Sequence, residues 1–343
     1  MQARLVRRMA SVAADVAAKP IIAMGQMCST RDVETNLQLC RKLCVEAKAQ
    51  GACFLSLPEC FEFMGTPGTG DSLAMAQPLD SGPVAASSHD RAGSLFSRYQ
   101  KLAKEHKLWL SLGGFHERTP ADDPKMYNTH AIVSDQGALV AAYRKLHLFD
   151  VDYDGGFQES KSTHKGAEAL LVTGTPVGNV GVTVCYDLRF PELFAALQKA
   201  GADVILVPSA FMPTTGAAHW DVLLRARAIE TQCYIGAAAQ WGAHNPKRSS
   251  HGHALLVGPW GTVLGDCGAE GDGVVTAEID FAEIDRIRTR MPCGQHRRPE
   301  VVDVVVGDEG RRLKIVDASA SKAEPAANGD NFGKRPFSEL SAL

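Results

Sequence analysis

The chain is a series of short apolar runs, and what joins them decides its fold class. Some runs are joined by tight turns. Residues 131–134 and 138–143 flank Asp135-Gln-Gly137, and residues 254–258 and 262–265 flank Pro259-Trp-Gly261. Each pair reads as a β-hairpin. Other runs lead into segments of helical periodicity. Residues 20–27 read as a strand, followed by a helix to Gln50 with Thr30 as its N-cap and Leu37, Cys40, Leu43, Cys44 and Ala47 on one face. Further strands are expected over 52–57, 108–112, 180–184, 203–208, 234–239 and 274–279, and further helices over 94–107, 190–197, 217–231 and 281–290. Hairpins mixed with strand–turn–helix units predict an α/β fold with helices outside layered sheets.

Length and charge narrow the classes. The 343 residues suit one large domain or two small ones, and a net charge of −3 gives no reason to expect nucleic-acid binding. No apolar stretch approaches the ~20 residues that a membrane span needs. The nine cysteines are scattered, with no C-x-x-C and no zinc spacing, which is reduced, intracellular usage. The first 14 residues carry three arginines and no acid. That composition fits a mitochondrial or other organellar transit segment, or a short unstructured leader to a cytoplasmic protein. The expected organisation is a leader over 1–19, a folded domain over 20–312, and a disordered tail over 313–343. The stretch 64–93, rich in Gly, Pro and Ser, reads as a long loop.

One turn carries candidate chemistry. Cys185 closes the run Val180-Gly-Val-Thr-Val184, and Pro191 stands near the start of the helix that follows. A cysteine on a strand-to-helix turn presents its thiol where the backbone N–H of Tyr186 also points at a ligand. A thiol needs a base to act as a nucleophile. Glu59, after Leu55-Ser-Leu-Pro, and Lys145, after Ala141-Ala-Tyr-Arg, lie at other strand ends and offer a base and a counter-charge. Such a set suits attack on a carbonyl or nitrile carbon, with Lys145 and the Tyr186 N–H receiving the oxyanion. Three other readings stay open on these residues alone: Cys185 as a core hydrophobe, a cysteine–histidine pair using His219, His251 or His253, and a metal at His251-Gly-His253. Arg225 and Arg227 fit a salt-bridged helix face or a subunit contact.

Leu57-Pro-Glu59, Tyr143-Arg-Lys-Leu-His-Leu148 and Val184-Cys-Tyr-Asp-Leu-Arg-Phe190 together resemble the three catalytic blocks of the nitrilase superfamily, in that family's order. The resemblance runs from about Pro20 to about Arg298. It implies a four-layer αββα sandwich, a homodimer that extends it, a Glu59–Lys145–Cys185 triad, and Glu159 as a second glutamate that orients Lys145. Residues 218–234, 237–240, 247–248 and 259–263 resemble the nitrilase-homologue branch that clears deaminated glutathione, whose sister branch acts on α-ketoglutaramate. The segment Ile229-Glu-Thr-Gln-Cys233 favours the first. The loop between Lys145 and Glu159 is shorter than in the sister branch. For this group the resemblance assigns the substrate's α-keto acid carboxylate to Arg189 and Thr215 and a pocket wall to Phe211. It implies a small-molecule amide substrate hydrolysed through a thioester, with no metal and no organic cofactor. A non-catalytic scaffold of the same fold is the reading of another class.

Overall fold

The computed structural model describes residues 19–79, 94–119, 123–152, 156–301 and 313–319. Residues 1–18 of the expected 1–19 leader, part of the expected loop over 64–93 and the part of the expected tail beyond residue 319 lie outside them.

Two sheets stack in the centre. Strands β1 (Ile21–Met27), β2 (Phe54–Leu57), β3 (Trp109–Arg118), β4 (Met126–Val133) and β5 (Leu139–Arg144) form the body of the first. Its order is completed by β13 (Ala239–Asn245) and β14 (Arg248–His251) as β14-β13-β1-β2-β3-β4-β5, with β17 (Gly273–Glu278) beside β1 and β8 (Thr163–His164) beside β4. The second sheet uses β9 (Ala169–Thr175), β10 (Gly178–Val182), β11 (Val204–Leu206), β12 (Tyr234–Ala237), β15 (Leu255–Val257), β16 (Val263–Asp266) and β18 (Leu313–Asp317), in the order β16-β15-β12-β11-β10-β9-β18. A two-stranded ribbon, β6 (Asp150–Val151) with β7 (Phe157–Gln158), stands apart.

The period-2 alternation of the strands separates the layers. Ile22, Met24, Phe54, Trp109 and Ile132 face inward and pack with Leu170, Val172, Val180, Val182 and Ile205 of the second sheet. The residues between them, Ala23, Leu55, Leu57, Leu110, Leu112, Ala131 and Val133, face outward onto α1 (Val33–Ala49) and α3 (Leu95–His106), which follows the one-turn α2 (Asp71–Met75). On the other side α4 (Pro191–Lys199) and α5 (Pro213–Thr231) cover the second sheet through Phe194, Leu197, Trp220 and Leu224. The result is the expected αββα sandwich, closed by α6 (Phe281–Arg290).

Four expectations are corrected. The cap of α1 is Asp32, whose carboxylate accepts from Glu34 and Thr35 N–H groups. Thr30 lies two residues earlier, its backbone N–H and C=O both held by the Asn36 amide. The long loop contains α2. The run 234–239 is two strands: the chain leaves the second sheet after Ala237 and joins the first at Ala239, parallel to β1. Ser209 fixes this crossing, its N–H donating to Ala238 O while its own C=O accepts from Gln240. Finally, the folded part does not stop at residue 312. Leu313–Asp317 pairs parallel with β9 from Leu313↔Ala169 to Asp317↔Thr173, so an Ala- and Lys-rich composition concealed an edge strand.

Candidate active site

Cys185 begins a single helical turn, Cys185–Arg189, directly after β10, and its φ is +47°. That conformation costs a non-glycine residue on the order of 1–3 kcal/mol and persists only where neighbours hold it. They do so here. Cys185 N–H donates to Pro208 O at 3.0 Å, and Asp187 N–H to Val184 O at 3.0 Å. The fully buried Asp187 carboxylate receives four donors: Tyr143 OH (2.7 Å) and Val184 N (2.9 Å) on Oδ2, and His147 N (3.1 Å) and Nδ1 (2.7 Å) on Oδ1. Tyr143 and His147 flank Lys145, so one carboxylate ties the cysteine turn to the lysine loop. Arg227, almost fully buried, donates through Nε to Leu188 O at the end of the same turn.

Glu59 and Lys145 arrive from the first sheet, at the ends of β2 and β5. The buried Lys145 ammonium donates to Glu59 Oε1 and to Glu159 Oε2, both at 2.9 Å. Asn128 Nδ2 bridges the same two glutamates at 2.9 and 3.0 Å. Ala210 N–H holds Glu59 Oε2 at 3.1 Å, and Phe149 N–H holds Glu159 Oε2 at 2.8 Å. The Cys185 thiol lies close enough to the Glu59 carboxylate for the two to influence each other's ionisation. Glu59 approaches this closely because β3 carries Gly113-Gly114 at a bulge opposite β4. A Cβ on Gly114, at φ +75°, would sit 2.7 Å from Glu59 Cγ, and one on Gly113 2.1 Å from Pro208 Cβ.

The charges follow from this packing. Burial opposes ionisation of Glu59, yet the Lys145 ammonium overcomes it and holds the carboxyl down to about 2. Burial and the adjacent Glu59 carboxylate push the Cys185 thiol well above its ordinary value. Burial alone would lower Lys145, but Glu159 and Glu59 together raise it. At rest the cluster sets a protonated Cys185 thiol beside an ionised Glu59 carboxylate and the Lys145 ammonium. His130 is buried and pushed down to about 4 by desolvation, so its neutral ring links Ser111 to the Thr183 carbonyl, two residues before the thiol.

All the expected catalytic residues converge: Glu59, Lys145, Glu159 and Cys185, with Tyr186 next along the turn. Arg189 ends the same turn, and Phe211 lies against it. Arg189 lies over the rings of Phe211 (5.4 Å) and Tyr186 (5.9 Å), with His219 Nδ1 3.2 Å from its NH1. Among the described residues no carboxylate pairs with it, because Asp187 is already saturated. Phe211 is packed on Trp220, and Thr215 lies in the first turn of α5. His253 pairs with Asp266 at 2.9 Å and neither it nor His251 reaches the cluster. Arg225 and Arg227 pair with Asp221 and Glu230.

Sequence reasoning missed Asn128, Asp187 and the Ala210 and Phe149 N–H groups. Backbone donors leave no trace in side-chain identity, and an isolated Asn in a strand has no local signature.

The model for carbon-nitrogen hydrolases matches residues 21–289, most of the chain. This protein is a carbon–nitrogen hydrolase of the nitrilase superfamily. The carbon–nitrogen hydrolase resembles deaminated glutathione amidase of Homo sapiens at 46% identity over 286 residues, 82% of this chain and 83% of that protein. Its fold matches the Caenorhabditis elegans NitFhit protein with TM-score 0.74 and 39% identity, covering 83% of this chain and 66% of that one. It also matches, at TM-score 0.64 and 25% identity over 83% of this chain and 96% of the other, a glutamate-to-glutamine mutant of an amidase from Nesterenkonia sp. AN1. That structure shows covalent addition of the acetamide moiety of fluoroacetamide at the active site cysteine.

Proposed function

We propose that this carbon–nitrogen hydrolase is a cysteine amidase that hydrolyses deaminated glutathione, a small amide bearing an α-keto acid, through a thioester. One observation carries the mechanism: a thiol, an ionised carboxylate and an ammonium meet in one buried cluster. Glu59 accepts the Cys185 proton as sulfur attacks the amide carbon. The C=O electron pair moves onto oxygen, which Lys145 and the Tyr186 N–H stabilise. Collapse breaks the C–N bond, and Glu59 returns the proton to the leaving amine. Glu59 then takes a proton from water, hydroxide attacks the thioester, and the acid departs as Cys185 is reprotonated. Glu159, through Lys145 and Asn128, keeps the ammonium charged and aimed. The cysteine adduct described for the Nesterenkonia amidase and the names of the 38–46% identical relatives support this chemistry and substrate.

The unpaired Arg189 guanidinium supports an acid-bearing substrate, since a planar fork matches a carboxylate through two hydrogen bonds. Arg189→Lys is expected to lose about 1.5–3 kcal/mol of transition-state binding on α-keto acid amides and much less on neutral amides, read as kcat/KM. An equal loss on both classes means that Arg189 only braces the turn, and the substrate assignment falls. The sister activity on α-ketoglutaramate is the second reading, because it shares the same acyl end.

A homodimer is part of this proposal. Val222 (65% exposed) and Ile229 are exposed on α5, and Trp260 (59% exposed), Val263 and Leu264 on the β15–β16 hairpin; Ile229 and Arg225 Nε meet the hairpin at Gly261. Exposed large apolar side chains on two elements that meet suit a second copy of the chain. No helix among the described residues is long and apolar enough to cross a membrane.

A further inference from the structure

A second arginine stands over the opposite end of the same aromatic wall. Arg248, on β14, lies 5.9 Å from the centroid of Phe157. Phe157 packs on Phe149 (5.9 Å), Phe149 on Tyr186 (5.0 Å), and Arg189 lies over Tyr186 at 5.9 Å. The wall therefore has a guanidinium at each end, and Cys185 precedes its Tyr186 ring in the chain. β14 spans this mouth: His251 N–H donates to Phe211 O at 2.9 Å, on the Arg189 side. Arg248 stands three residues away along the strand, on the order of 10 Å.

No carboxylate among the described residues pairs with Arg248. The two nearby acids are occupied, Glu59 by Lys145, Asn128 and Ala210, and Glu159 by Lys145, Asn128 and Phe149. The Arg248 charge nevertheless reaches the cluster, adding to the downward pull on Glu59. An arginine without a carboxylate partner among the described residues, whose charge reaches the cluster, suits an anion that the substrate brings.

We propose that Arg248 binds the carboxylate on the leaving-group side of the substrate, so that the enzyme reads an acid at both ends of a linear amide. This rests on the reading given under Proposed function and deepens it. In deaminated glutathione the scissile amide lies between an α-keto acid and a dipeptide with a free C-terminal carboxylate. Arg189 takes the first and Arg248 the second. The strand between Arg248 and His251, on the order of 10 Å, is within reach of an extended substrate, whose residues span about 3.3–3.6 Å each. α-Ketoglutaramate releases only ammonia and has nothing for Arg248 to hold. Arg248 is thus the specificity-determining residue between the two substrates. The rival role is to balance the negative charge of Glu59 and Glu159, which would serve every substrate alike.

The test compares kcat/KM of wild type, Arg248→Gln and Arg248→Lys on three substrates: deaminated glutathione, its C-terminal amide and α-ketoglutaramate. Arg248→Gln is expected to lose roughly 10- to 100-fold on the first, as a lost charge-assisted pair does, and less than about threefold on the other two. Arg248→Lys should recover part of the loss, and wild type should discriminate against the C-terminal amide to a similar degree. Equal losses on all three substrates, or none on deaminated glutathione, overturn this inference while leaving the proposed amidase standing. Wild type that hydrolyses none of the three overturns the proposed function, and this inference with it.

Discussion

Replacing Asp187 by asparagine changes one atom's worth of shape and removes the charge that joins the two halves of the site. Its Oδ2 accepts from Tyr143 OH and Val184 N–H, and its Oδ1 from His147 N–H and Nδ1. An asparagine can offer only one of these positions as an acceptor. With its NH2 at the Oδ2 position, the Tyr143 hydroxyl can rotate to accept, but the Val184 N–H faces another donor. With its NH2 at the Oδ1 position, the His147 ring can change tautomer, but the His147 backbone N–H is left unpaired. Either way one buried backbone donor is orphaned, at about 1–3 kcal/mol, and the remaining bonds fall from charge-assisted to ordinary strength. The expected destabilisation is roughly 3–5 kcal/mol, a large part of the ~5–15 kcal/mol of a typical domain. Urea denaturation should show a lower midpoint at unchanged m-value. Turnover should fall by at least about tenfold in protein still folded at low denaturant, because the residue before Cys185 loses its anchor. A loss below about 1 kcal/mol with full activity would refute the idea that Asp187 holds the turn.

Further outcomes are expected. Cys185→Ala and Glu59→Gln should each abolish turnover while the fold persists, whereas His219→Ala should retain most activity; a lethal histidine change with a mild Glu59→Gln would install a cysteine–histidine pair instead. Glu59 is depressed to about 2 from 4.5, so the stability from its ionised form is present above pH 4.5 and is lost as pH falls toward 2. Because Cys185 is raised above 9.0, its alkylation by iodoacetamide should show no inflection between pH 6 and 8, and one found there would mean a resting thiolate. Trp260→Asp should shift the sedimentation of the protein from dimer to monomer without altering the spectroscopic signature of the folded chain; a monomeric wild type would remove the dimer proposal.

What the sequence determined is what is local. The Asp135-Gln-Gly137 and Pro259-Trp-Gly261 turns marked two hairpins, since a tight turn fixes the pairing of the strands it joins. Pro191 and the run to Val184 located the cysteine turn, and the three blocks around Glu59, Lys145 and Cys185 marked the strand ends that matter. Tertiary structure decided the rest, because packing of two sheets sets which strand ends meet. Glu59 and Lys145 come from one sheet and Cys185 and Ala210 from the other, and only their stacking turns separate charges into a buried cluster. The same holds for Asn128, which bridges residues 69 and 31 positions away, and for Asp187. Burial makes their hydrogen bonds obligatory, and burial is not written in any short window of sequence. The break at Ala238 and the edge strand at Leu313–Asp317 were hidden for a related reason. A strand is completed by the partner it pairs with, and Ala239 and Leu313 find theirs, β1 and β9, far away in the chain.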